Sequence, residues 1–385
     1  MHTQGDPLKY NSYMEARIVE ESEKPAWNQF VVQNSLGDVL QTWEWGEVKR
    51  SVVWEVIRVG VFDDDKLIGV AQILRRRLLK FFSLLYCPRG PVIDWDQENS
   101  LEALQTLAEF IRGKIAKPSD LFLRIESTVE KFSIFNFQFS NKTQNLKPKT
   151  QNLNFLPYFK SIQPKHTSVV DLSRTEEEII ASFEKDTRNS VHRAEREGVI
   201  VKKSNNPDDW QKFYKLYKET SIRGHFTPRP WSQFEKIFQI MKPAGQADLY
   251  LATFNSARGP LTEQEGLVEE KILAGALILK SGTKAYYLWG ASSRDYPKKF
   301  APYLLQWEMM RDLKRSGVRL YDLWGIAPTD NPKHAWSGHT LFKKGFGGKT
   351  VEYIGCWDLA LSLFYRFFRI VDFWRQKFEQ PDLIS

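Results

Sequence analysis

Tyr321–Gly348 reads YDLWGIAPTDNPKHAWSGHTLFKKGFGG, and no other stretch says more about the fold and the site. Its apolar start predicts a strand that carries one acid, Asp322. The chain then breaks at Gly325 into a loop and closes on FKKGFGG at 342–348. A loop rich in aromatics, glycines and paired lysines at a strand end is where a rigid scaffold usually carries binding or catalytic groups. We therefore expect the rest of the chain to support this stretch.

Length and composition describe a globular protein of more than one domain. A chain of 385 residues exceeds what one hydrophobic core comfortably supports, which predicts two domains. The hydrophobic share of 42% and the charged share of 26% are those of soluble globular proteins. Lys and Arg exceed Asp and Glu by 55 − 47 = 8, which favours anionic partners such as nucleic acid, nucleotide diphosphates or anionic lipid.

Cysteine usage and the absence of targeting signals indicate a reducing compartment. Cys87 and Cys356 are the two cysteines of the sequence, and they provide neither a disulfide framework nor zinc-ligand spacing. The N-terminus lacks a signal-peptide core, and no run approaches the roughly 18 uncharged apolar residues of a membrane span. We expect a cytoplasmic protein, with the inner face of the membrane as a further place of action. We predict neither a metal nor a cofactor.

Strand and helix patterns alternate in both halves of the chain. In the first half, strands are predicted at 54–62, 66–74, 81–86 and 121–126, and helices at 25–32 and 101–116. In the second half, strands are predicted at 167–172, 199–202, 249–253, 272–280, 285–290 and 319–323, and helices at 176–183, 209–220, 231–241 and 300–317. These patterns predict an α/β (α+β) protein whose second half repeats the order of the first.

Two basic segments stand apart from this alternation. Arg188, His192 and Arg196 fall on one helical face at four-residue spacing, which is usual for a solvated stripe and also suits phosphate binding. The tail at 357–378 is aromatic and basic, and it is predicted as one helix. We favour packing of this helix on the first domain, but basic aromatic helices also lie on membrane surfaces.

The chain resembles the FemABX family of peptidoglycan-bridge aminoacyltransferases. The segments that carry the resemblance follow the family's order along most of the chain: LQTWEWGEVK (40–49), YCPRGPV (86–92), QPKHTSVVDLSRTEEEIIASFEKDTRNSVHRAEREGV (163–199), AYYLWGASS (285–293), APYLLQWEMMRDLKRSGVRLYDLWGI (301–326) and LFKKGFGG (341–348). The least family-like parts are the Asn- and Gln-rich stretch within 127–163 and the hydrophilic insert at 256–270.

The resemblance implies two domains of the GNAT-like acyltransferase fold. Residues 1–163 and 346–385 would form the first, precursor-binding domain, because the last segment of the chain returns to it. Residues 164–345 would form the second domain. The activity implied is transfer of an amino acid from aminoacyl-tRNA to an amine on the stem peptide of a UDP-linked or lipid-linked muropeptide. We expect the enzyme to act as a monomer.

The resemblance also implies roles for individual residues. Lys49 matches a lysine near the diphosphate of the precursor, and Lys343 matches the lysine at the catalytic centre. Tyr287 lies in the strand that supplies substrate-contacting tyrosines, although Tyr286 competes for that match. Four further side chains would bind substrate, with the choice between the two arginines left open: Arg223 or Arg229 on phosphate, and Tyr86 and Asp94 beside the G-P-V turn.

The chemistry of this transfer makes few demands on the protein. An activated ester becomes an amide, so no covalent nucleophile is required, and no G-x-S-x-G motif occurs. What remains is to position two anionic substrates and to stabilise a tetrahedral oxyanion, a task that suits Lys343 in a glycine-rich loop. Phe342 and Phe346 would anchor this lysine, and the glycines would leave room for substrate.

The proton of the acceptor amine needs a destination. It could pass to Asp322, to Asp94 or to the leaving ribose oxygen. Asp322 could equally brace the loop that follows it. We interpret His334 and His339 as hydrogen-bonding residues of that loop rather than as acid–base groups.

Two other functions remain open from the sequence. An acyl-CoA-dependent N-acyltransferase would share the fold, but it needs a glycine-rich pyrophosphate loop after the AYYLWG strand, and that position reads RDYPKKF (294–300), without glycine. A non-catalytic basic RNA- or membrane-binding protein would have no need of Lys343.

Overall fold

The protein is built on two mixed α/β sheets, one in each half of the chain. The structure is a computed structural model that describes residues 14–95, 97, 99–130, 155–158, 160–257 and 268–378. Most of the Asn- and Gln-rich stretch, the middle of the hydrophilic insert and the last seven residues of the tail lie outside these ranges. None of the helices in the described ranges combines the length and apolarity needed to cross a bilayer.

The first half forms a meander followed by one parallel strand. Its elements, in chain order, are β1 (Met14–Ile18), α1 (Lys24–Gln33), α2 (Trp43–Arg50), β2 (Glu55–Asp63), β3 (Lys66–Leu79), β4 (Phe82–Pro88), β5 (Val92–Ile93), α3 (Ser100–Phe110), β6 (Asp120–Glu126) and β7 (Phe155–Pro157). Strands β1 to β4 pair antiparallel in sequence, and β6 then runs parallel to β4. The β2–β3 hairpin turns through Asp64, whose φ of 50° is a left-handed conformation that Asp tolerates well.

The second half repeats this plan. Its elements are β8 (His166–Asp171), α4 (Glu176–Ala181), α5 (Lys185–Arg196), β9 (Ile200–Ser204), α6 (Pro207–Arg223), α7 (Trp231–Lys236), β10 (Ala247–Ala257), β11 (Val268–Ser281), β12 (Lys284–Ser292), α8 (Ala301–Arg315), β13 (Leu320–Gly325), α9 (Ser337–Lys344) and β14 (Lys349–Glu352). Strands β9 to β12 form an antiparallel meander, and β13 runs parallel to β12. The α/β class predicted from the alternating patterns is confirmed.

Local sequence explains where the helices of the second half begin. Thr175 and Glu178 form a capping box at α4: the Thr175 hydroxyl accepts a hydrogen bond from the Glu178 amide, and the Glu178 carboxylate accepts one from the Thr175 amide. Helix α6 begins with Asn206 as its cap, followed by Pro207 in the first turn. These residues satisfy amides that helix starts leave without partners.

The tail is not a single helix, contrary to the prediction for 357–378. It begins as β15 (Trp357–Ala360), which lies between β6 and β7, and only then forms α10 (Tyr365–Phe378). The reason is a buried ion pair: Arg124 of β6 donates two hydrogen bonds of 2.7 Å to Asp358, which is completely buried. Strand β14 still pairs with β8 in the second sheet, so the chain returns to the first sheet at β15, later than residue 346. Our division into two domains remains a proposal.

The two halves share one apolar core. Trp45 and Val48 of α2, from the first half, belong to the same buried cluster as Tyr286, Trp289 and other residues on one face of the second sheet. The opposite face of that sheet is covered by α4, α5 and α8. Helix α2 is therefore fixed directly against the second sheet, and this places Lys49, at the end of α2, next to the second half of the chain.

Candidate active site

A gap between two parallel strands is the centre of the candidate site. The pairing of β12 with β13 ends at Tyr286 and Asp322, although both strands continue beyond this point. The pairing of β13 with β8 is interrupted over the same stretch, between Asp322 and Gly325. Trp324, inside this interruption, has a φ of 65°, which is strained for a bulky residue. Strain of this kind concentrates at functional sites.

Asp322 holds the strained turn in place. Its Oδ1 accepts a hydrogen bond of 2.7 Å from the backbone amide of Trp324, two residues along the chain. Only 6% of Asp322 is exposed, and burial raises the pKa of its carboxyl to about 6, although the positive charge of Arg89 opposes this shift. Asp322 thus braces the segment that follows it, which is one of the two roles that the sequence left open. The raised pKa also makes this carboxyl a group that can exchange a proton near neutral pH.

Lys343 reaches the open end of the gap from a helix and not from a loop. The segment at 337–344 is α9, so the prediction of a loop running up to FKKGFGG is wrong for its first residues. The ammonium of Lys343 donates a hydrogen bond of 2.8 Å to the carbonyl of Gly325. Burial lowers its pKa to about 8, an effect that the nearby Asp322 carboxylate partly offsets. A helix holds this ammonium more firmly than a loop would, and the lysine is still mostly protonated at pH 7.

The aromatic residues beside Lys343 anchor α9 in the core. Phe346 is fully buried and contacts Phe342 and Phe183, with ring centroids 5.1 and 5.2 Å away. Tyr303 of α8 packs against Phe342 at 5.1 Å. The position of Lys343 is therefore determined by the same apolar cluster that supports one face of the second sheet.

We expected the glycines after Lys343 to leave room for substrate. The structure shows instead that neighbouring residues fill the space beside them. A Cβ on Gly345 would lie 2.3 Å from the Thr187 hydroxyl, and one on Gly348 would lie 2.5 Å from the Ser168 hydroxyl. Gly347 also has a φ of 69° and would meet Ser182 at 2.5 Å. These glycines allow the chain after α9 to pack closely on α4, α5 and β8. They are structural.

Tyr287, rather than Tyr286, faces Lys343. The Lys343 ammonium lies 5.8 Å from the centre of the Tyr287 ring. The phenol of Tyr287 covers Gly290, where a Cβ would lie 1.7 Å from its hydroxyl oxygen. Burial raises the pKa of Tyr287 to about 12, so it can donate a hydrogen bond at neutral pH. Tyr286 points to the other face of β12 and donates to the Gly37 carbonyl at 3.4 Å.

Lys49 and Arg229 form a second group of positive charge. The Lys49 ammonium lies 4.5 Å from the Trp45 ring and donates a hydrogen bond of 3.1 Å to Gln233 of α7. Burial and the positive charge of Arg229 lower the pKa of Lys49 to about 7. A buried ammonium with a guanidinium charge near it is suited to bind an anion. Of the two arginines considered from sequence, Arg229 is the one coupled to Lys49.

Anion binding at Lys49 should therefore depend on pH. We expect the affinity for uridine diphosphate to fall about tenfold per pH unit above pH 7, because the anion binds the protonated lysine and the free lysine loses its proton there. Lys49→Arg, which stays charged, should remove this dependence. The measurement is isothermal titration calorimetry from pH 6 to pH 9. The same slope in both proteins would show that Lys49 does not bind the diphosphate.

Arg223 lies beside the end of β12, and its charge acts on His339 of α9. Its guanidinium donates to the Ser292 carbonyl at the end of β12 at 2.7 Å. Desolvation and the positive charges of Lys343 and Arg223 lower the pKa of His339, which precedes Lys343 by one helical turn. His334 accepts a hydrogen bond of 3.0 Å from the Trp336 amide, as expected for a loop residue.

Three predicted substrate-binding residues have other partners. Arg188 donates to the carbonyls of Ala181 and Phe183 at the turn between α4 and α5. Tyr86 is buried and donates to Glu126, which also accepts hydrogen bonds from the amides of 162 and 163. Asp94 accepts a hydrogen bond from Gln97 just before α3. Their contacts are with the scaffold, and their roles in binding remain predictions.

A cavity of about 320 Å³ lies between the two halves, on the side of β13 that carries Asp322. The loop after α1 forms one wall, and the Lys284 ammonium donates to the carbonyls of Ser35 and Gly37 in that loop. Asp38 also lines the cavity, and burial raises the pKa of its carboxyl. The cavity is therefore lined by one buried acid from each half of the chain, Asp38 and Asp322.

Arg89 was not predicted from the sequence as a site residue, but its positive charge acts on both of these acids. The Arg89 guanidinium is 2% exposed and lies 4.8 Å from the Trp324 ring and 4.5 Å from the Tyr353 ring. It stands in the YCPRGPV segment (86–92), which the sequence indicated only as part of the family pattern. Its φ of 52° is uncommon for a residue with a side chain, but this is visible only in the structure, and the sequence gives no local signal of its burial.

The fold and the site together define a two-unit α/β protein with a buried lysine at a strand gap. The solved structure of FemX has this fold: it superposes with a TM-score of 0.77, covering 92% of this chain and 100% of that one at 24% identity. The FemAB family model matches residues 22–265 and 257–372. The chain belongs to the FemAB family.

Curated relatives of similar length carry a common name. The chain is 28% identical to a lipid II:glycine glycyltransferase of Staphylococcus saprophyticus, over 88% of this chain and 91% of that protein. It is 27% identical to a lipid II:glycine glycyltransferase of Staphylococcus aureus strain MRSA252, over 86% of this chain and 90% of that protein. The two ranges matched by the family model overlap at 257–265, inside the hydrophilic insert that resembled the family least in the sequence.

Proposed function

We propose that this protein moves an amino acid from aminoacyl-tRNA to an amine on the stem peptide of a lipid-linked peptidoglycan precursor. It is an aminoacyltransferase, and its relatives are named for transfer of glycine to lipid II. The observation that supports the proposal most is the position of Lys343, a partly buried cation at the open end of a strand gap. The lipid-linked acceptor is favoured over the UDP-linked one by the names of the relatives.

The reaction needs charge stabilisation more than it needs a nucleophile. The acceptor nitrogen attacks the ester carbonyl of the aminoacyl group, a carbon–nitrogen bond forms, and the carbonyl oxygen becomes an oxyanion. The carbon–oxygen bond to the ribose then breaks and releases tRNA. The ammonium of Lys343 would leave the Gly325 carbonyl and donate to the oxyanion. A donor of this kind is typically worth about 10²–10³ in rate.

Two groups could receive the proton of the acceptor amine. The ribose oxygen needs one proton when it leaves, so direct transfer to it balances the reaction. The Asp322 carboxyl, with its pKa of about 6, could hold the proton in between. Asp94 lies between β5 and α3 in the first half of the chain, where it accepts a hydrogen bond from Gln97, and it is the weaker candidate.

The acceptor and donor are expected at different cationic surfaces. The diphosphate of the acceptor would bind at Lys49 and Arg229, beside the junction of the two halves. The phosphates of the donor RNA would follow the basic face of α5, which presents His192 and Arg196 to solvent. Because a lipid-linked acceptor is held in a membrane, we place the working enzyme, as a monomer, at the inner membrane face.

Binding of the donor should respond strongly to salt. We expect the logarithm of the affinity for aminoacyl-tRNA to fall linearly with the logarithm of salt concentration, because cations that bind phosphates release counterions. Arg196→Gln should reduce this slope by about one. Lys66→Gln, a loss of one exposed charge on the distant β2–β3 hairpin, should leave the slope unchanged. Filter binding at several salt concentrations measures it, and a flat response in the unmodified protein would contradict tRNA as the donor.

One experiment tests the proposed activity as a whole. The protein is incubated with a mixture of aminoacyl-tRNAs and with either lipid-linked or UDP-linked muropeptide, and the products are weighed by mass spectrometry. A mass increase of one or more amino-acid residues on either acceptor supports the proposal and identifies the amino acid. Unchanged masses on both acceptors would refute it.

The structure adds to the case against an acyl-CoA donor. The segment before α8 contains Tyr296 and Phe300, which have φ values of 53° and 52°, and Pro297. Pro302 lies in the first turn of α8 and has no amide hydrogen to offer a phosphate. An arm of the same experiment with acetyl-CoA and either acceptor tests this alternative, which predicts the mass gain of one acetyl group in place of a hydrogen, instead of an amino-acid residue.

A further inference from the structure

The outward face of α10 is apolar, although the helix lies on the surface. Its inner face is fixed by Tyr365, which packs 5.3 Å from the Phe122 ring, and by Phe368, which packs 5.4 Å from it. Tyr365 also donates a hydrogen bond to Asp358, and Tyr158 donates one to Asp372. These contacts leave no freedom to turn the helix over. Its orientation is therefore set by the first sheet.

The large apolar residues of the other face are exposed at helical spacing. Each of them has another member three or four residues away along the chain, which is the spacing of a continuous stripe. The stripe consists of Leu363 and Phe364, in the turn that leads into α10, and of Phe367, Ile370 and Val371 in α10 itself; Leu363 is 96% exposed and Phe367 is 70% exposed. Surface helices normally carry polar residues on this side. A stripe of this kind on a surface marks a site of contact with another body.

The turn between β3 and β4 extends the same surface. Its tip, Phe81, is 71% exposed, and the next residue, Phe82, lies with its ring centre 5.8 Å from that of Phe364. A hairpin tip of the first half and the C-terminal segment that leads into α10 thus present aromatic side chains side by side. We call Phe81 together with the apolar stripe of α10 the aromatic surface.

The charges at this aromatic surface are positive. Lys80 stands next to Phe81, with its ammonium 5.4 Å from that ring, and Arg366 is exposed on α10. The acids of this region, Asp358 and Asp372, are buried and hydrogen-bonded on the inner side. An apolar face bordered by cations is complementary to a bilayer with anionic headgroups, and a protein partner would not require that pattern.

We propose that the aromatic surface docks this protein on an anionic lipid bilayer, with α10 lying in the plane of the headgroups. The hairpin tip with Phe81 inserts beside it, and Lys80 and Arg366 bind lipid phosphates. Two elements at one level fix the tilt of the molecule, which a single helix would not do. The docking itself does not depend on the proposed function. Only its use does: docking would bring the enzyme to the bilayer that holds a lipid-linked acceptor.

Vesicle binding by the full-length protein tests the docking directly. We expect the protein to sediment with vesicles of phosphatidylglycerol and phosphatidylcholine, and to bind pure phosphatidylcholine at least tenfold more weakly. Phe367→Glu with Ile370→Glu should reduce binding to the anionic vesicles at least tenfold, because the apolar contact is lost and two negative charges are added. Ile200→Glu is the matched control, since Ile200 is 56% exposed on β9, and it should bind like the unmodified protein.

Two further measurements distinguish docking on lipid from pairing of two protein copies. Phe81→Glu, which changes only the hairpin tip, should also weaken vesicle binding, and unchanged binding would overturn the two-element surface. Analytical ultracentrifugation of the unmodified protein should show a monomer; a dimer that Phe367→Glu dissociates, with vesicle binding unchanged, would assign the surface to a second copy. A deletion from Trp357 is unsuitable for either measurement, because it removes β15 from the first sheet.

Activity with a water-soluble acceptor distinguishes a failure of docking from a failure of the proposed function. The Phe367→Glu, Ile370→Glu protein should transfer normally to the UDP-linked muropeptide and lose activity on lipid-linked acceptor in vesicles. An inactive unmodified protein that still binds anionic vesicles would refute the transfer reaction and leave the docking surface standing. Equal activity of both proteins on the vesicle-bound acceptor would overturn the role of docking in catalysis.

Discussion

Lys343→Met is expected to lower kcat for aminoacyl transfer by about 10²–10³ while leaving acceptor binding within a few-fold of the unmodified protein. The reason is that the ammonium would stabilise charge that exists only in the tetrahedral intermediate, whereas the Lys49 group would bind the ground state. Methionine retains the apolar stem, so the packing around Phe342 and Phe346 should survive. Single-turnover transfer and calorimetric binding measure the two effects separately.

Lys344→Met is the matched control for this prediction. Lys344 is the next residue of α9, and it makes an ion pair with the exposed Asp330. Loss of a pair with so exposed a partner is worth at most about 1 kcal/mol and should leave kcat unchanged. Turnover that is normal in Lys343→Met would remove this residue from the mechanism.

The pH profile gives a second test of the same lysine. Because burial lowers the pKa of Lys343 to about 8, its positive charge is present below pH 8 and is lost as the pH rises through that value. Transfer should therefore decline above pH 8 in the unmodified protein. In Lys343→Arg, which keeps its charge, the decline should disappear even if the rate is lower.

Asp322→Asn is expected to stabilise the protein by up to about 3 kcal/mol at pH 7. Burial raises the pKa of this carboxyl from 3.8 to about 6, so the folded protein binds a proton that the unfolded chain releases. Stability is thus lost as pH rises from about 4 through 6, and an amide has no such loss. Below pH 4 the two proteins should be equally stable. Urea unfolding at pH 4 and pH 7 measures the difference.

The same variant separates two roles of Asp322. The amide oxygen of asparagine can still accept the hydrogen bond from the Trp324 amide, so the brace should remain. A large fall in kcat together with higher stability would indicate that the carboxyl carries the proton. Full activity would leave it a bracing residue only. If asparagine instead destabilised the protein at pH 7, the attraction of Arg89 for the charged carboxylate would have to be larger than the cost of burying that charge.

Sequence patterns predicted the sheets well, because strand and helix periodicities are local. The prediction failed where partners distant in the sequence decide the structure. Trp357–Ala360 looked helical among aromatic neighbours but forms a strand, since Asp358 meets Arg124, 234 residues earlier. The first residues of FKKGFGG looked like a loop because of the glycines behind them, which serve the packing after α9 instead.

The candidate site was predictable only in part for a similar reason. Lys343, Asp322 and Tyr287 lie in segments with a family pattern, and the structure brings them to one strand gap. The coupling between Lys49 and Arg229 depends on the packing of α2 against the second sheet, which no spacing reveals. Arg89 carries no local mark of its burial, because its surroundings come from both halves of the chain.

The shared core around Trp45 fixes the distance between Lys49 and the strand gap. Lys49 extends from the helix that carries Trp45, and the strand gap opens from the same sheet against which that helix packs. A diphosphate bound at Lys49 and an amine at the strand gap would therefore be separated by a constant distance. The protein would select the amine of a stem peptide by the distance of that amine from the phosphates of the precursor.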